Sequence, residues 1–187
     1  MLSDQELRRF REGDRSVCED IVQDHYEQIY RFLFHRTLDA HLAADLTQET
    51  FAAAWRSMRS FRGTSSVSTW LHQIAYRKQI DEARNRQRRE QSQEQRASHW
   101  NEENGTEPAL QTILKDERSR HLYRAIQELN PRERDVVLLR FFQGLSTRET
   151  AEIMNEPTGT TQWRTSQALR QLRRLLSIED FYELRSS

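Results

Sequence analysis

The side chains best suited to chemistry in this 187-residue chain are basic, hydroxyl-bearing and aromatic, and they lie in two stretches. The first, residues 61–89, joins a small-residue loop, FRGTSS, to a segment rich in arginine. The second, TGTTQWRTSQALRQLRR, is residues 158–174 and carries four arginines and no acid. Cations pair with phosphates, while hydroxyl and aromatic groups contact bases or stack on them, so both stretches indicate nucleic-acid binding.

No catalytic or metal-binding set accompanies them. The single cysteine, Cys18, cannot form an internal disulfide, the six histidines are scattered, and there is no zinc spacing, nucleophile motif or phosphate loop. We therefore expect a protein that is not an enzyme and needs no cofactor. The lone cysteine, the lack of an apolar run of about 18 residues and the lack of a signal-peptide core predict a cytoplasmic protein without membrane insertion.

The charge distribution suggests different partners for different segments. The formal net charge is zero, but residues 1–50 hold eleven acids and six arginines, a net charge of −5. Residues 51–89 hold nine bases and two acids, a net charge of +7. Two basic zones on a neutral chain suggest two polyanion contacts, and the acidic N-terminal part suits a protein partner. Nearly all the bases are arginine, which pairs with phosphate in a bidentate way, although an arginine-rich proteome would produce the same bias.

Helical periodicity dominates the chain, and no apolar–polar alternation is long enough to pair as strands. Three amphipathic segments fill residues 17–80, and residues 86–108 then lose the large aliphatic side chains and become rich in Gln, Glu and Asn. Helical spacing returns at Leu110, Ile113 and Leu114. The expected fold is all-α, with two small helical domains, residues 1–90 and 109–187, joined by a polar linker, residues 91–108.

The last third carries the start and stop signals of a helix-turn-helix. NPRE, residues 130–133, and STRE, residues 146–149, each combine an N-cap residue with a glutamate three positions later. Gly144 suits the end of the helix between them. Asn155 tolerates a left-handed conformation, and Pro157 forbids continuation of the preceding helix. These signals predict two helices joined by a short turn; a plain helical hairpin would share most of them.

An acidic ridge is predicted in the first domain. Asp45, Gln48 and Glu49 recur at helical spacing and share one face, and Phe51 and Trp55, four residues apart, share a side. Such a ridge could dock a basic partner, or it could be an ordinary solvated face. By residue type alone, the solvated face is favoured.

The loop FRGTSS also has two interpretations. Gly63 allows a sharp turn, and hydroxyls and backbone amides beside it could surround an extruded base. The hydroxyls are those of Thr64, Ser65 and Ser66. Alternatively, the loop caps the next helix through Ser66 or Ser68. Trp70 in that helix could stack on an unpaired base or pack beneath the loop, and we favour packing.

Four motifs in series resemble those of the extracytoplasmic-function sigma factors, a small two-domain class of bacterial transcription initiation factors. DLTQETFAAAWR resembles the family's DLxQExFxxxWR, and FRGTSSVSTWLHQIAYRKQIDEARNRQRR resembles FxGxSxFxTWLxxIAxNxxxDxxRRxxR. LNPRERDVVLLRFFQGLSTRETAEIM resembles LPPREReVLLLRyxEGLSyxEIAEIL, and PTGTTQWR resembles PxGTVKSR. The matches occur in order and cover most of residues 10–176.

The resemblance implies a factor that binds core RNA polymerase, directs it to specific promoters and aids promoter melting. Region 2, in residues 1–90, would bind polymerase and the minus-ten element, and region 4, in residues 109–187, would read the minus-thirty-five element. The linker would lie in the RNA exit path of the polymerase. The family also implies an anti-sigma protein as a partner.

The same resemblance assigns roles to individual residues. The contact with core polymerase would be made by Asp45, Gln48, Glu49 and Trp55. The minus-ten element would be contacted by Phe61, Arg62, Gly63, Thr64, Ser65, Ser66, Arg77, Lys78 and Arg84. The minus-thirty-five element would be contacted by Thr158, Thr160, Gln162, Trp163, Arg164, Gln167 and Arg170. Within that last set, Arg170 suits a phosphate or polymerase, and the bases would be read by Thr160, Gln162, Trp163, Arg164 and Gln167.

Several positions depart from the family pattern. Arg77 stands where Asn is frequent, which puts base choice in the minus-ten pocket in doubt. Other departures lie in the turn at residues 155–157 and in the helix that follows it. Glu156 replaces a usual aliphatic residue, Thr161 replaces a usual Val, Gln162–Trp163 replace a usual Lys–Ser, and Thr165 replaces a usual Leu or Ile. The inward stripe of this helix is therefore polar at its start. We predict a loosely packed start and an unusual minus-thirty-five sequence.

Two other functions stay open on the sequence. Region 2 could bind polymerase while region 4 mainly binds a regulatory protein, which would suit the low charge at the start of residues 158–174. A nucleic-acid enzyme would need the acid or His/Cys metal cluster that the sequence lacks. The apolar tail residues could pack on the second domain or bind a partner, and we favour packing. They are Ile178, Phe181 and Tyr182.

Overall fold

The computed structural model describes residues 3–94 and 117–176, which are helical apart from short turns. The elements are α1 (Asp4–Glu12), α2 (Arg15–Thr37), α3 (Ala40–Ser57), a 3-10 turn (Met58–Ser60), α4 (Val67–Glu94), α5 (Glu117–Gln127), α6 (Pro131–Val137), a π-helical turn (Leu138–Phe142), α7 (Thr147–Met154) and α8 (Thr158–Leu175). No strand occurs in the two described ranges, and the predicted all-α class is confirmed. Most of the predicted linker, the helical spacing at 110–114 and the tail residues 178–182 lie outside the described residues.

The first half, residues 3–94, is a bundle of α2, α3 and α4 with α1 packed at one end. Its fully buried side chains include Phe10, Ile29, Phe32, Leu33 and Leu71. Asp14 and Asp39 cap α2 and α3, each accepting hydrogen bonds from two backbone N–H groups of the first turn. As the sequence suggests, α4 continues through the arginines after Asp81 and ends at Glu94.

The second half, residues 117–176, contains the predicted helix-turn-helix, formed by α7 and α8. Both bonds of the capping box form at Ser146–Glu149, and the Asn130 side chain accepts from the backbone N–H three residues later. Asn155 ends α7 in the left-handed conformation that its position predicts, with φ 52°. The start and stop signals in this part of the sequence therefore act locally, as expected.

One hydrophobic cluster spans the two halves, and the second half has a further cluster of its own. Val136, Leu139, Ile153 and Met154 of the second half are buried in the same cluster as the aromatic core of the first half. α7 packs against α4, and the π-helical turn packs against α2. Because the apolar side chains of both halves bury each other, packing of one half supports the other.

A buried ion pair crosses this interface. One oxygen of the Asp135 carboxylate accepts a hydrogen bond from the Arg36 guanidinium, and the other accepts from the Tyr76 hydroxyl at 2.9 Å. The Arg36 and Asp135 side chains are only 9% and 6% exposed. Burial and the nearby Asp135 charge raise the pKa of Tyr76 to about 12, so its hydroxyl remains a donor. Because Arg36 and Asp135 are both buried, removal of one of them would leave the charge of the other buried without its ionic partner.

Candidate nucleic-acid and polymerase contact surfaces

The loop of residues 61–66 is supported from inside the first half. Phe61 is buried beneath it, with its ring centroid 4.7 Å from that of Trp70 and 6.1 Å from that of Phe10. Arg11 of α1 donates a hydrogen bond from Nε to the Phe61 carbonyl oxygen at 2.7 Å. Trp70 therefore packs beneath the loop, as favoured from the sequence, and Phe61 holds the loop from below instead of lying on its outer face.

Gly63 is required at the turn of this loop for two reasons. Its φ of 72° lies in the left-handed region, which side chains other than glycine adopt with strain. A Cβ at this position would also lie 2.8 Å from Cδ2 of Leu7 in α1. Around this turn Arg62 and Thr64 are exposed and Ser65 is half-buried. The loop therefore directs a guanidinium and a hydroxyl outward.

Ser66 caps α4, so the capping interpretation holds for this residue. Its Oγ accepts a hydrogen bond from the backbone N–H of Thr69 at 3.0 Å. The Thr69 hydroxyl in turn donates to the Glu149 carboxylate of α7, also at 3.0 Å. Hydrogen bonds from Ser146 lower the pKa of Glu149, so it remains an ionised acceptor. The start of α4 is thereby tied to the second half of the molecule.

The predicted minus-ten residues of α4 lie towards solvent. Arg77 and Arg84 are exposed, and Nη1 of Arg84 is 3.8 Å from the Asp81 carboxylate in a solvated pair. Lys78 donates to Glu49 at 2.9 Å, which joins a predicted minus-ten residue to a predicted polymerase contact. Exposed pairs of this kind contribute at most about 1 kcal/mol, so these cations can exchange a carboxylate for a phosphate.

The predicted acidic ridge is an exposed face of α3. Asp45, Gln48 and Glu49 are all exposed. Trp55 is half-buried, with its ring centroid 5.9 Å from that of Phe10 and 6.0 Å from that of Phe51. The structure therefore brings the three polar side chains together on the surface, while Trp55 anchors the helix that carries them.

The first turns of α8 present their polar side chains to solvent. Thr158, Gln162 and Trp163 are exposed, and the Trp163 side chain is 56% exposed. Thr160 and Gln167 are half-buried. The predicted base-reading residues thus share a regular helical backbone, and the aromatic ring among them is available for contact.

The later part of α8 combines an apolar face with a basic one. Ala168 and Leu172 are fully buried against α5 and α6 residues. Arg170, Arg173 and Arg174 are exposed. This distribution fixes the helix by its apolar face and leaves its cations in solvent, where they suit phosphates.

The start of α8 is not loosely packed, and the prediction of loose packing was wrong. Thr161 is fully buried, and its hydroxyl donates to Oε1 of Glu156 at 2.9 Å. The Thr165 hydroxyl donates to the Thr161 carbonyl oxygen at 2.7 Å, and Nε of Arg164 donates to Oε2 of Glu156 at 3.1 Å. Hydrogen bonds replace the apolar contacts expected of this stripe. The sequence marks Glu156 as a departure from the family pattern but does not show its role as the partner of Thr161 and Arg164; the only signal was its co-occurrence with Thr161.

Two histidines of the first half, the fully buried His72 and the half-buried His35, are shielded from solvent by packing. Burial lowers the pKa of His72 to about 4, and burial and the charge of Arg31 lower the pKa of His35 to about 4. Nδ1 of His72 donates to the Ser68 carbonyl oxygen at 2.8 Å, and the Tyr123 hydroxyl lies 2.7 Å from Nδ1 of His35. In the described ranges no three His, Cys, Asp or Glu side chains could hold a metal ion, and no helix there is long and apolar enough to cross a membrane.

Comparisons with known proteins agree with this geometry. The family model described as Sigma-70 region 2 matches residues 21–89, and that described as Sigma-70, region 4 matches residues 125–174. The ECF RNA polymerase sigma factor SigX of Bacillus subtilis is 32% identical over 169 residues, which are 85% of this chain and 85% of that protein. The RNA polymerase sigma-H factor of Pseudomonas aeruginosa is 31% identical over 176 residues, which are 88% of this chain and 89% of that protein.

Solved structures share the fold. The sigma factor RpoE of Bartonella quintana, in complex with the anti-sigma factor NepR, has a TM-score of 0.69 at 22% identity and covers 86% of this chain and 96% of its own. CnrH, in complex with the cytosolic domain of CnrY, has a TM-score of 0.67 at 17% identity and covers 91% and 94%. Because both sigma regions match in order and the relatives align over most of both lengths, the chain belongs to the extracytoplasmic-function class of sigma-70 factors, which direct RNA polymerase to promoters and are not enzymes.

Proposed function

We propose that the two basic surfaces of this sigma factor contact the two promoter elements separately. The loop of residues 61–66 and the basic face of α4 contact the minus-ten element, and the outer face of α8 contacts the minus-thirty-five element. The corresponding units are region 2 in residues 1–90 and region 4 in residues 109–187, joined by the linker in residues 91–108. In this proposal the protein acts in the cytoplasm, where core polymerase is available.

The exposed start of α8 is the observation that supports this function most strongly. The second helix of a helix-turn-helix is the one that enters the major groove of DNA. On α8, Gln162 and Trp163 are exposed, and Arg164 follows them directly. Gln pairs with adenine, Arg with guanine, and an aromatic ring packs on a thymine methyl group. These side chains therefore offer a base-reading set on a rigid support.

The acidic ridge of α3 supports a polymerase contact. Its members, Asp45, Gln48 and Glu49, are exposed on a helix that Trp55 anchors. Exposed carboxylates steer association with a basic protein surface. In this proposal the ridge and Trp55 form the contact with core polymerase, and the ridge adjoins the basic face of α4 through the hydrogen bond from Lys78 to Glu49.

A regulatory protein that covers α8 is a second candidate partner. RpoE of Bartonella quintana was solved with the anti-sigma factor NepR. In this chain the Trp163 side chain is 56% exposed, and exposed tryptophans are enriched among the residues that dominate protein interfaces. An anti-sigma protein that buries Trp163 would compete with promoter DNA for the same helix.

Run-off transcription on a promoter library tests the function directly. The reaction contains core polymerase, the full chain and promoters randomised in both elements. We expect the selected promoters to share two motifs at a constant spacing. No selected promoter, together with no binding to core polymerase, would overturn the proposal. A minus-ten motif without a minus-thirty-five motif would favour the second candidate.

A further inference from the structure

Glu156 lies in the turn between α7 and α8 and extends towards the start of α8. Its backbone N–H donates to the Ala151 carbonyl oxygen at 3.0 Å. Its neighbours are Asn155, with φ 52°, and Pro157, whose ring fixes its own φ. The Glu156 side chain is only 10% exposed. The backbone of the turn therefore sets where this carboxylate lies.

The Glu156 carboxylate accepts hydrogen bonds from two successive turns of α8. Oε1 accepts from the Thr161 hydroxyl at 2.9 Å, and Oε2 accepts from Nε of Arg164 at 3.1 Å. Thr161 is fully buried, so its hydroxyl fixes one oxygen and thereby the direction of the other. Arg164 is 25% exposed, and a pair this sheltered is screened by salt less than an exposed one.

Binding through Nε leaves the outer edge of the Arg164 guanidinium unused. Within the described part of the chain, Arg164 makes no hydrogen bond other than the one to Glu156. Its Nη1 and Nη2 atoms keep N–H donors that match the O6 and N7 acceptors of guanine in the major groove. The later arginines of α8 differ, because among the described residues no carboxylate forms an ion pair with Arg170, Arg173 or Arg174, whereas Glu156 pairs with Arg164. Those cations suit phosphates, whereas Arg164 is held for a specific acceptor.

We propose that Glu156 is a positioning residue for promoter readout, which directs Nη1 and Nη2 of Arg164 at a guanine of the minus-thirty-five element. The proposal rests on the proposed function of α8. By neutralising Arg164, Glu156 weakens its attraction to any phosphate and leaves the geometry of the donors to select the base. By restraining a long side chain in advance, it also reduces the conformational entropy lost on binding.

Promoter selection with substituted holoenzymes tests this role. Core polymerase is combined with each full-length variant on a library randomised in the minus-thirty-five element. Glu156→Gln keeps an acceptor without the charge, Glu156→Leu supplies an apolar side chain, and Arg164→Ala removes the reader. Arg170→Gln is the phosphate-contact control. Glu128→Gln is the charge-matched control, because Glu128 is an exposed acid of the same half.

The wild-type holoenzyme is expected to prefer guanine at one position of the element. Arg164→Ala should remove that preference at that position alone, and Glu156→Leu should reduce it about tenfold, within the discrimination of a bidentate arginine–guanine pair. Glu156→Gln should fall between Glu156→Leu and the wild type. Arg170→Gln should weaken binding to all sequences equally, and Glu128→Gln should change nothing.

Each other outcome has a distinct meaning. An unchanged guanine preference in both Glu156 variants or in Arg164→Ala, or an equal loss of preference at every position, overturns the positioning role. If the wild-type holoenzyme selects no minus-thirty-five motif, the proposed function of α8 itself fails. Thermal unfolding of each variant is measured in parallel, and the nearly isosteric Glu156→Gln decides the case if Glu156→Leu unfolds.

Discussion

The loop of residues 61–66 and the helix α8 are both proposed DNA contacts, yet they are held in different ways. The loop has an irregular backbone whose shape depends on α1, on the aromatic core and, through Thr69, on Glu149 of the second half. α8 has a regular backbone, and Glu156 in the adjacent turn orients its side chains. The first surface is therefore sensitive to the packing of the whole molecule, whereas the second is sensitive to the side chains that lie on it.

Removal of the buried carboxylate between the halves should have the largest effect. Asp135→Ala leaves Arg36 buried without its partner, and we expect a loss of about 3–5 kcal/mol of unfolding free energy, measured by denaturant titration. A double variant, Arg36→Met with Asp135→Leu, fills similar volume without charge and should recover most of the loss. A loss below about 1 kcal/mol for Asp135→Ala would show that the interface does not support the first half.

Acidification should destabilise the protein through His35 and His72, which both lie in the first half. The pKa values of His35 and His72 are lowered from 6.5 to about 4, so the unfolded state takes up protons first as the pH falls. Stability should therefore fall by about 2 kcal/mol per histidine between pH 7 and pH 5 and by about 1 kcal/mol more between pH 5 and pH 4, and the loss from these groups should level off below about pH 3. Denaturant titrations at three pH values measure this slope. His35→Phe should reduce the slope by about half, and a slope that does not change in this variant would contradict the assignment.

Substitution of glycine by alanine should lower stability in the loop but not in α8. Gly63→Ala places a Cβ at a left-handed position, 2.8 Å from Leu7, and should cost about 1–3 kcal/mol of stability. Its matched control is Gly159→Ala in α8, where an added Cβ meets nothing within 4 Å. That change should be neutral or stabilise by up to about 1 kcal/mol. If the two substitutions changed the melting temperature equally, the loop of residues 61–66 would not be more strained than the start of α8.

The exposed pair between α3 and α4 should matter least for stability. Lys78→Gln removes the hydrogen bond to Glu49, whose side chain is 57% exposed, and should cost less than about 1 kcal/mol. In the holoenzyme the same change should weaken minus-ten binding and lower its salt dependence, because one phosphate contact is lost. Unchanged salt dependence would exclude Lys78 from the DNA contact.

Local signals in the sequence predicted much of this fold. The capping box at Ser146–Glu149, the left-handed Asn155 and the continuation of α4 past Asp81 all follow from residue types within a few positions of each other. Trp70 beneath the loop follows from the preference of a large ring for burial. Each of these features depends on short-range geometry that periodicity and capping rules describe.

Contacts between distant residues could not be predicted in this way. Arg36 and Asp135 are 99 positions apart, and neither carries a local sign that it pairs with the other. The polar stripe of α8 suggested loose packing because Thr161 was judged by its own size. The carboxylate of Glu156, five positions earlier, supplies the hydrogen bond that compensates. The residue type at a buried position does not by itself show which hydrogen-bond partner the preceding turn offers.

Promoter selection by two sets of variants tests most directly whether the loop and α8 are separate reading surfaces. Thr64→Ala with Ser65→Ala changes the loop, and Gln162→Ala or Trp163→Ala changes α8. With a library randomised in both elements, loop variants should alter only the minus-ten preference and α8 variants only the minus-thirty-five preference. If Gln162→Ala, Trp163→Ala and Arg164→Ala all leave the minus-thirty-five preference unchanged, α8 does not read that element and serves a protein partner instead.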